Sequence, residues 1–292
     1  MASSPTASSQ LNIGTADSTM ASRPTDVQTI LNYTSPSPNG EGLWCYILRP
    51  TPPKPWTNTT NDPRDVVIHD ARGREDEFSL DRSGFEFLTY PSAVPDLFDE
   101  WSIKKMYYPE VVKMLQQHTG ASRVMIAGHM HRRSHPGAQT ISGFTDITGP
   151  AFAVHGDRTM DSAHYLAENQ LDVLPKGRRR IINVWRPIGE PVYDVPLAVL
   201  DYRTIDTVHD LVPVVVKYAA QDIETLAAFY SEKHMWYYLK NQTPQEVILM
   251  KNYDSLTDGT SRVGMHSAFR DPTCAADAPP RRSIEVRAFL FD

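Results

Sequence analysis

Apolar and polar positions alternate with a period near two over most of this chain, and a helical period of three and four residues appears in two places. Asp26 to Tyr33 and Trp44 to Leu48 are rich in β-branched and aromatic residues and read as the first strands, parted by the turn-forming Ser35-Pro36-Ser37-Pro38-Asn39-Gly40. A proline-rich loop from Pro50 to Pro63 leads to a strand at Val66 to His69. From Ala93 to His118 the period turns helical, with Leu97, Trp101, Met106, Val111, Val112 and Leu115 on one stripe. Pro109 divides this segment or opens its second helix, and Gly120 stops it. Ser122 to Gly128 reads as a buried strand that ends in a histidine cluster, His129-Met130-His131-Arg132-Arg133-Ser134-His135. Asp161 to Leu174 is the second helical stretch. Strands are then expected at Ile181 to Pro187, Val195 to Asp201, Val212 to Tyr218, Met235 to Leu239, Val247 to Lys251, Gly264 to Phe269 and Ile284 to Phe291.

Many short strands with a few helices predict a mainly β protein with flanking helices (α+β) built on a double-stranded β-helix, or jelly roll. With 292 residues, 40% of them hydrophobic, the chain can bury a full core. Residues 1–25 are small and polar and are expected to form a disordered leader, leaving 26–292 as one domain. The net charge of -6 excludes a general nucleic-acid or membrane-surface binder, which needs concentrated positive charge. The one dense basic run, Lys176 to Arg180, reads as a solvated loop. No run approaches the ~18 apolar residues of a membrane span. Cys45 and Cys274 form neither a zinc pattern nor a disulfide framework, which with the absence of a visible secretory signal favours a reducing, cytoplasmic setting.

The chemistry begins where the apolar run Phe152-Ala153-Val154 hands over to His155-Gly156-Asp157. Residues i and i+2 of an extended strand point the same way, so His155 and Asp157 can reach one ion. Alone, the pair could equally be a surface turn before a helix. A second histidine on a neighbouring strand would complete the two-histidine, one-carboxylate set used for oxygen chemistry at Fe(II), and His266 has the right placement. Three protein ligands leave three positions on an octahedral ion for a bidentate cosubstrate and for O2. If that cosubstrate is 2-oxoglutarate, its distal carboxylate needs a buried arginine. Arg281 with Ser283 supplies a donor pair at the start of the last strand; Arg287 is a rival and Arg270 a weaker one. Alternation puts Arg281, Ser283, Glu285 and Arg287 on one face, so parity does not choose between the two arginines. His129 and His131 resemble a cupin ligand pair but lie among arginines that repel a cation.

A series of blocks also carries a family resemblance: Ile182-Asn183-Val184-Trp185-Arg186-Pro187, Pro196-Leu197-Ala198-Val199, Met235-Trp236-Tyr237-Tyr238-Leu239, Gln242-Thr243-Pro244, Lys251-Asn252-Tyr253-Asp254-Ser255, His266-Ser267-Ala268-Phe269-Arg270-Asp271-Pro272 and Pro280-Arg281-Arg282-Ser283-Ile284-Glu285-Val286-Arg287. From about Asp26 onward the chain resembles the AsaB hydroxylase/desaturase family, which is similar to the CmcJ-type proteins of antibiotic pathways. The resemblance implies a non-heme iron, 2-oxoglutarate-dependent oxygenase of specialised metabolism with a jelly-roll core. It places the iron ligands on His155, Asp157 and His266 and the cosubstrate arginine on Arg281. It does not distinguish hydroxylation from desaturation or ring closure.

Trp185, Arg186, His131, Arg132, His234 and Trp236 are the candidates for the substrate pocket. An arginine-rich mouth favours a small molecule with a carboxylate, such as an amino-acid derivative, and an aromatic metabolite is compatible. Two other readings stay open at the sequence level: a non-catalytic jelly-roll binder or accessory subunit, and a cupin-like isomerase without a cosubstrate. The oligomeric state is not legible.

Overall fold

The computed structural model describes residues 23–48, 50–134, 147–163, 177–218 and 221–292. Residues 1–22 of the expected leader, His135 and most of the expected helix at Asp161 to Leu174 lie outside them; helix is described only for Met160 to Ala163. The described residues form fifteen strands: β1 (Val27–Thr34), β2 (Leu43–Tyr46), β3 (Asn61–Asp70), β4 (Phe85–Thr89), β5 (Arg123–Arg133), β6 (Ile147–Thr148), β7 (His155–Gly156), β8 (Arg179–Pro187), β9 (Leu197–Leu200), β10 (Leu211–Lys217), β11 (Ile223–Ala228), β12 (Trp236–Tyr238), β13 (Glu246–Asp254), β14 (His266–Ala268) and β15 (Arg282–Phe291). They form a nine-stranded sheet ordered β1-β3-β12-β9-β14-β7-β11-β10-β2 and a six-stranded sheet ordered β4-β13-β8-β15-β5-β6. The expected jelly roll is the observed architecture.

Three layers follow from which face of each strand is apolar. In the six-stranded sheet, Ile182, Val184, Val247, Leu249, Ile284, Val286, Ala288 and Leu290 pack under the helix Tyr108–Thr119, through its Val111, Met114 and Leu115. The alternate residues Trp185, Ile248 and Met250 turn inward to meet Leu197, Val199 and Tyr237 of the larger sheet. Covered on both faces, β8 reads as a nearly continuous buried run. On the far face of the larger sheet, Leu31, Tyr33, Leu200, Trp236 and Met265 form a third cluster.

The first helical segment differs from expectation. It starts at Glu100, where Asp99 Oδ2 accepts from Ser102 N at 2.7 Å, and not at Ala93. A wide π turn at Ile103–Tyr107 runs into the helix Tyr108–Thr119, so Pro109 falls in a first turn where its missing N–H costs nothing. The sequence reading also missed β4 and β11; β11 joins β10 to β7 and so supports the strand on which the site stands.

Candidate metal centre

Sheet pairing brings distant residues together. On the nine-stranded sheet β14 runs antiparallel to β7 with His266 directly opposite His155, although 110 residues separate them in the chain. The two imidazole centroids are 4.3 Å apart. Asp157 follows β7, and its Oδ1 lies 3.9 Å from His155 Nε2. One ligand atom from each of His155, Asp157 and His266 falls within 4.8 Å of the others, and among the described residues no other group of three does so.

Each side chain is oriented by a partner behind it. His155 Nδ1 donates to the Ala153 carbonyl at 2.8 Å, and His266 Nδ1 to the Gly264 carbonyl at 3.1 Å. A carbonyl only accepts, so the proton sits on Nδ1 and Nε2 keeps its lone pair, the form a metal requires. Burial lowers the pKa of both rings, His155 to about 4 with help from repulsion by His266, so both stay neutral through the physiological range. Burial would raise the pKa of Asp157, but the Arg287 guanidinium and the hydrogen bond from Asn183 act against it and keep the carboxylate ionised. Its Oδ2 accepts from Asn183 Nδ2 at 2.6 Å, Asn252 Nδ2 at 3.1 Å and Arg287 at 2.5 Å. Two neutral imidazoles and an anionic oxygen are thus gathered in a partly buried corner, a donor set suited to a divalent iron.

A small cavity adjoins the two histidines, lined by Arg132, Trp185, Leu197, Arg281 and Glu285 among others. Arg281 is 2% exposed. Its Nε donates to Ser283 Oγ at 3.2 Å, one terminal nitrogen donates to the Val195 carbonyl at 3.1 Å, and its guanidinium lies over the Trp185 ring at 4.9 Å. No carboxylate of the described residues forms an ion pair with it. Burial, reinforced by repulsion from Arg132 and opposed by the nearby Glu285 and Asp194 carboxylates, pulls its pKa down to about 9. Trp185 Nε1 is also buried with no partner in the described residues. Both observations fit the far end of a bound dicarboxylate.

The other expected site residues divide by strand parity. Arg132, paired with Ser283 across β5 and β15, reaches the cavity and donates to the Gly149 carbonyl at 3.0 Å. Arg287 faces inward as alternation required, but it is bonded to Asp157. Arg186 and His131 are one residue out of phase and lie on the helix side. Arg186 donates to Tyr107 Oη at 2.9 Å and the Pro244 carbonyl at 2.5 Å, while His131 Nε2 donates to the Leu97 carbonyl at 2.6 Å. His129 spends both ring nitrogens on Tyr108 and Glu100, so the cupin-like pair forms no metal cluster. Trp236 pairs with Leu200 where His266 pairs with Val199, which puts it on the opposite face of the sheet. There its Nε1 and His234 Nδ1 both bond to Tyr33 Oη. Arg270 is exposed and stacks on Phe152 at 5.1 Å in a groove of about 1110 Å³ that contains none of the three clustered residues. Asn183, Asn252 and Glu285 are site residues that the motif reading did not single out; a polar residue inside an otherwise apolar strand run was the available signal for Asn183.

A jelly roll that presents two imidazoles and one carboxylate toward a single point defines the class of mononuclear non-heme iron oxygenases. Comparison with known proteins places the chain within that class. Residues 31–291 match the family described as "Oxidoreductase/YMDC permease-like domain". Among curated relatives, the Fe(II)/2-oxoglutarate-dependent dioxygenase nvfI of Aspergillus novofumigatus is 36% identical over 259 residues, covering 84% of this chain and 90% of the relative. The hydroxylase/desaturase efuI of Hormonema carpetanum is 34% identical over 248 residues, covering 77% and 83%. The solved structure of the iron and alpha-ketoglutarate-dependent endoperoxidase NvfI superposes with a TM-score of 0.82 at 31% identity, covering 91% of this chain and 98% of that one. The chain belongs to this family of Fe(II)- and 2-oxoglutarate-dependent oxygenases of fungal secondary metabolism, and it is an oxidoreductase acting on a small molecule. Fe(II), 2-oxoglutarate and O2 are the cofactor and cosubstrates of the family. These relatives speak for the enzyme and against a non-catalytic binder. Among the described residues no helix is long and apolar enough to cross a membrane.

Proposed function

We propose that residues 26–292 form one oxygenase domain in which His155, Asp157 and His266 hold Fe(II), while Arg281 with Ser283 holds the distal carboxylate of 2-oxoglutarate. The observation that carries this reading is the convergence of three ligand atoms within 4.8 Å beside a buried arginine whose guanidinium forms no ion pair with a carboxylate of the described residues. When bound, the iron, cosubstrate and O2 supply an oxidant strong enough to break an unactivated C–H bond, with release of succinate and CO2. The chain itself does the positioning and excludes water. The two Nδ1–H bonds to backbone carbonyls fix the imidazoles, and Oδ1 of Asp157 is the carboxylate oxygen turned toward them. Trp185 forms an apolar floor beneath Arg281 and strengthens its charge-assisted bonds by keeping the cavity dry. Arg132, at the cavity wall, is a cation able to orient a substrate carboxylate, which favours an amino-acid-derived substrate while leaving room for an acidic aromatic one. The outcome is hydroxylation, desaturation or oxidative cyclisation; the names of the relatives include hydroxylase/desaturase and endoperoxidase.

Succinate formation tests this directly. The protein is loaded with Fe(II) anaerobically, given 2-oxoglutarate, screened against amino-acid derivatives and aromatic metabolites, and exposed to air. Substrate-stimulated succinate is expected. No succinate with any substrate, together with no visible charge-transfer band in the anaerobic complex, would overturn the proposal.

A further inference from the structure

We infer that Asn183, Asn252 and Arg287 act together as positioning residues for Asp157: they occupy Oδ2 and leave Oδ1 as the oxygen presented to the two imidazoles. The inference rests on the reading of Asp157 as a metal ligand and goes beyond it by assigning which oxygen binds and what holds it there. A carboxylate oxygen offers about two lone-pair sites. Oδ2 already accepts three donors, from Asn183 at 2.6 Å, Asn252 at 3.1 Å and Arg287 at 2.5 Å. It has no capacity left for a cation, and a guanidinium at that distance repels a dication. Among the described residues Oδ1 accepts no such bond, and it faces His155 Nε2.

The three donors are themselves constrained. Asn183 Nδ2 bridges Asp157 and Glu285, the latter at 2.8 Å, while its Oδ1 accepts from Arg287 Nε at 3.2 Å. This is the one amide orientation that points donors at carboxylates and the carbonyl at the arginine. Arg287 therefore spans Asn183 and Asp157 with one guanidinium, which commits it to the metal side of the cavity and leaves the cosubstrate to Arg281. Asn252 arrives by a different device. The register of β13 against β8 shifts between Lys251, opposite Ile182, and Tyr253, opposite Ile181, so Asn252 is the extra residue of a β-bulge. Asn252 is in phase with the inward-facing Ile248 and Met250, and the bulge turns the next residue, Tyr253, inward as well, where it packs with Ile181 and Phe289. A regular strand could not place both side chains inward.

Groups that orient a metal ligand typically change metal affinity by about 10–100-fold when removed. The test is a titration of the full-length protein with Co(II), whose visible spectrum reports coordination, for wild type, Asn252→Leu, Asn252→Ala and Arg287→Lys. Circular dichroism and thermal melting check folding, and 2-oxoglutarate affinity is measured on each cobalt-saturated form. The expected result is a Co(II) dissociation constant weakened about 10–100-fold with an altered visible band, and 2-oxoglutarate affinity within about threefold of wild type. Folded variants with the wild-type Co(II) constant and spectrum would overturn the positioning role. Arg287→Lys with intact Co(II) binding but poor 2-oxoglutarate binding would overturn the division of labour between the arginines. A folded wild type that binds no Co(II) would instead overturn the metal reading of Asp157 itself, so the two failures are distinguishable.

Discussion

His155 on β7 and His266 on β14 stand directly opposite each other in an antiparallel pair, with ring centroids 4.3 Å apart and each Nδ1 tied to the carbonyl two residues before it. The same local bond made twice, on two adjacent strands, aims two Nε2 lone pairs into one corner.

Metal stoichiometry follows from that corner being the one such cluster among the described residues. The protein is expected to bind one Fe(II) or Co(II) per chain. Asp157→Ala is expected to abolish 2-oxoglutarate turnover while the circular dichroism spectrum stays native. His131→Ala is expected to leave the stoichiometry at one, because His131 Nε2 is committed to Leu97. Loss of metal in His131→Ala, measured by elemental analysis, would contradict the assignment.

Arg281→Ala is expected to weaken 2-oxoglutarate binding by about 30-fold, since a hydrogen bond to a charged group contributes about 2 kcal/mol. Metal affinity should be unchanged. The measurement is the 2-oxoglutarate dependence of succinate formation, with Co(II) titration as the control.

Lys251, fully buried, bonds Asp254 at 2.7 Å and Asp81 at 2.6 Å, and Arg178 bridges the same two carboxylates. Lys251→Met is expected to cost about 3 kcal/mol near neutral pH, because it removes one of two cations from a buried carboxylate. Burial would raise the pKa of both acids, but the bonds from Arg178 and Lys251 outweigh it, lowering Asp254 and bringing Asp81 to about 2. Carboxylates with depressed pKa contribute stability that is complete above about pH 3.8 and is lost as pH falls toward 2. The gap in melting temperature between wild type and Lys251→Met should therefore close as the pH is taken down through that window. A gap constant from pH 7 to pH 3 would contradict this.

Arg186 sits 1% exposed beneath the helix, joined to Tyr107 and Pro244. Arg186→Met is expected to lower the melting temperature, by an amount equivalent to about 2–3 kcal/mol, while Co(II) and 2-oxoglutarate affinities stay within about twofold of wild type. A loss of 2-oxoglutarate affinity in a stable Arg186→Met variant would return this residue to the pocket.

Much of the strand pattern was legible because period-two alternation and buried apolar runs are local signals: β8, β13 and β15 lie close to where Ile181 to Pro187, Val247 to Lys251 and Ile284 to Phe291 placed them. β4 and β11 were missed, although Phe85-Glu86-Phe87 of β4 carries the alternation that marks a strand. Residue type does not give position. Arg186 and His131 lie on the helix side of their sheet, and Trp236 and His234 meet at Tyr33, away from the three clustered residues.

By itself the sequence determined the kinds of groups available, two histidines, a carboxylate and an arginine with a serine, their order along the chain, and the strands that carry them. Register is a property of strand pairs and is invisible in one strand. Only the tertiary structure set His266 against His155, turned the Arg281 guanidinium toward the cavity without an ion pair among the described residues, and bonded Arg287 to Asp157. Alternation allowed either arginine to face inward. What distinguishes them is that Arg287 bonds both Asp157 and Asn183, contacts between elements that no pattern within one strand encodes.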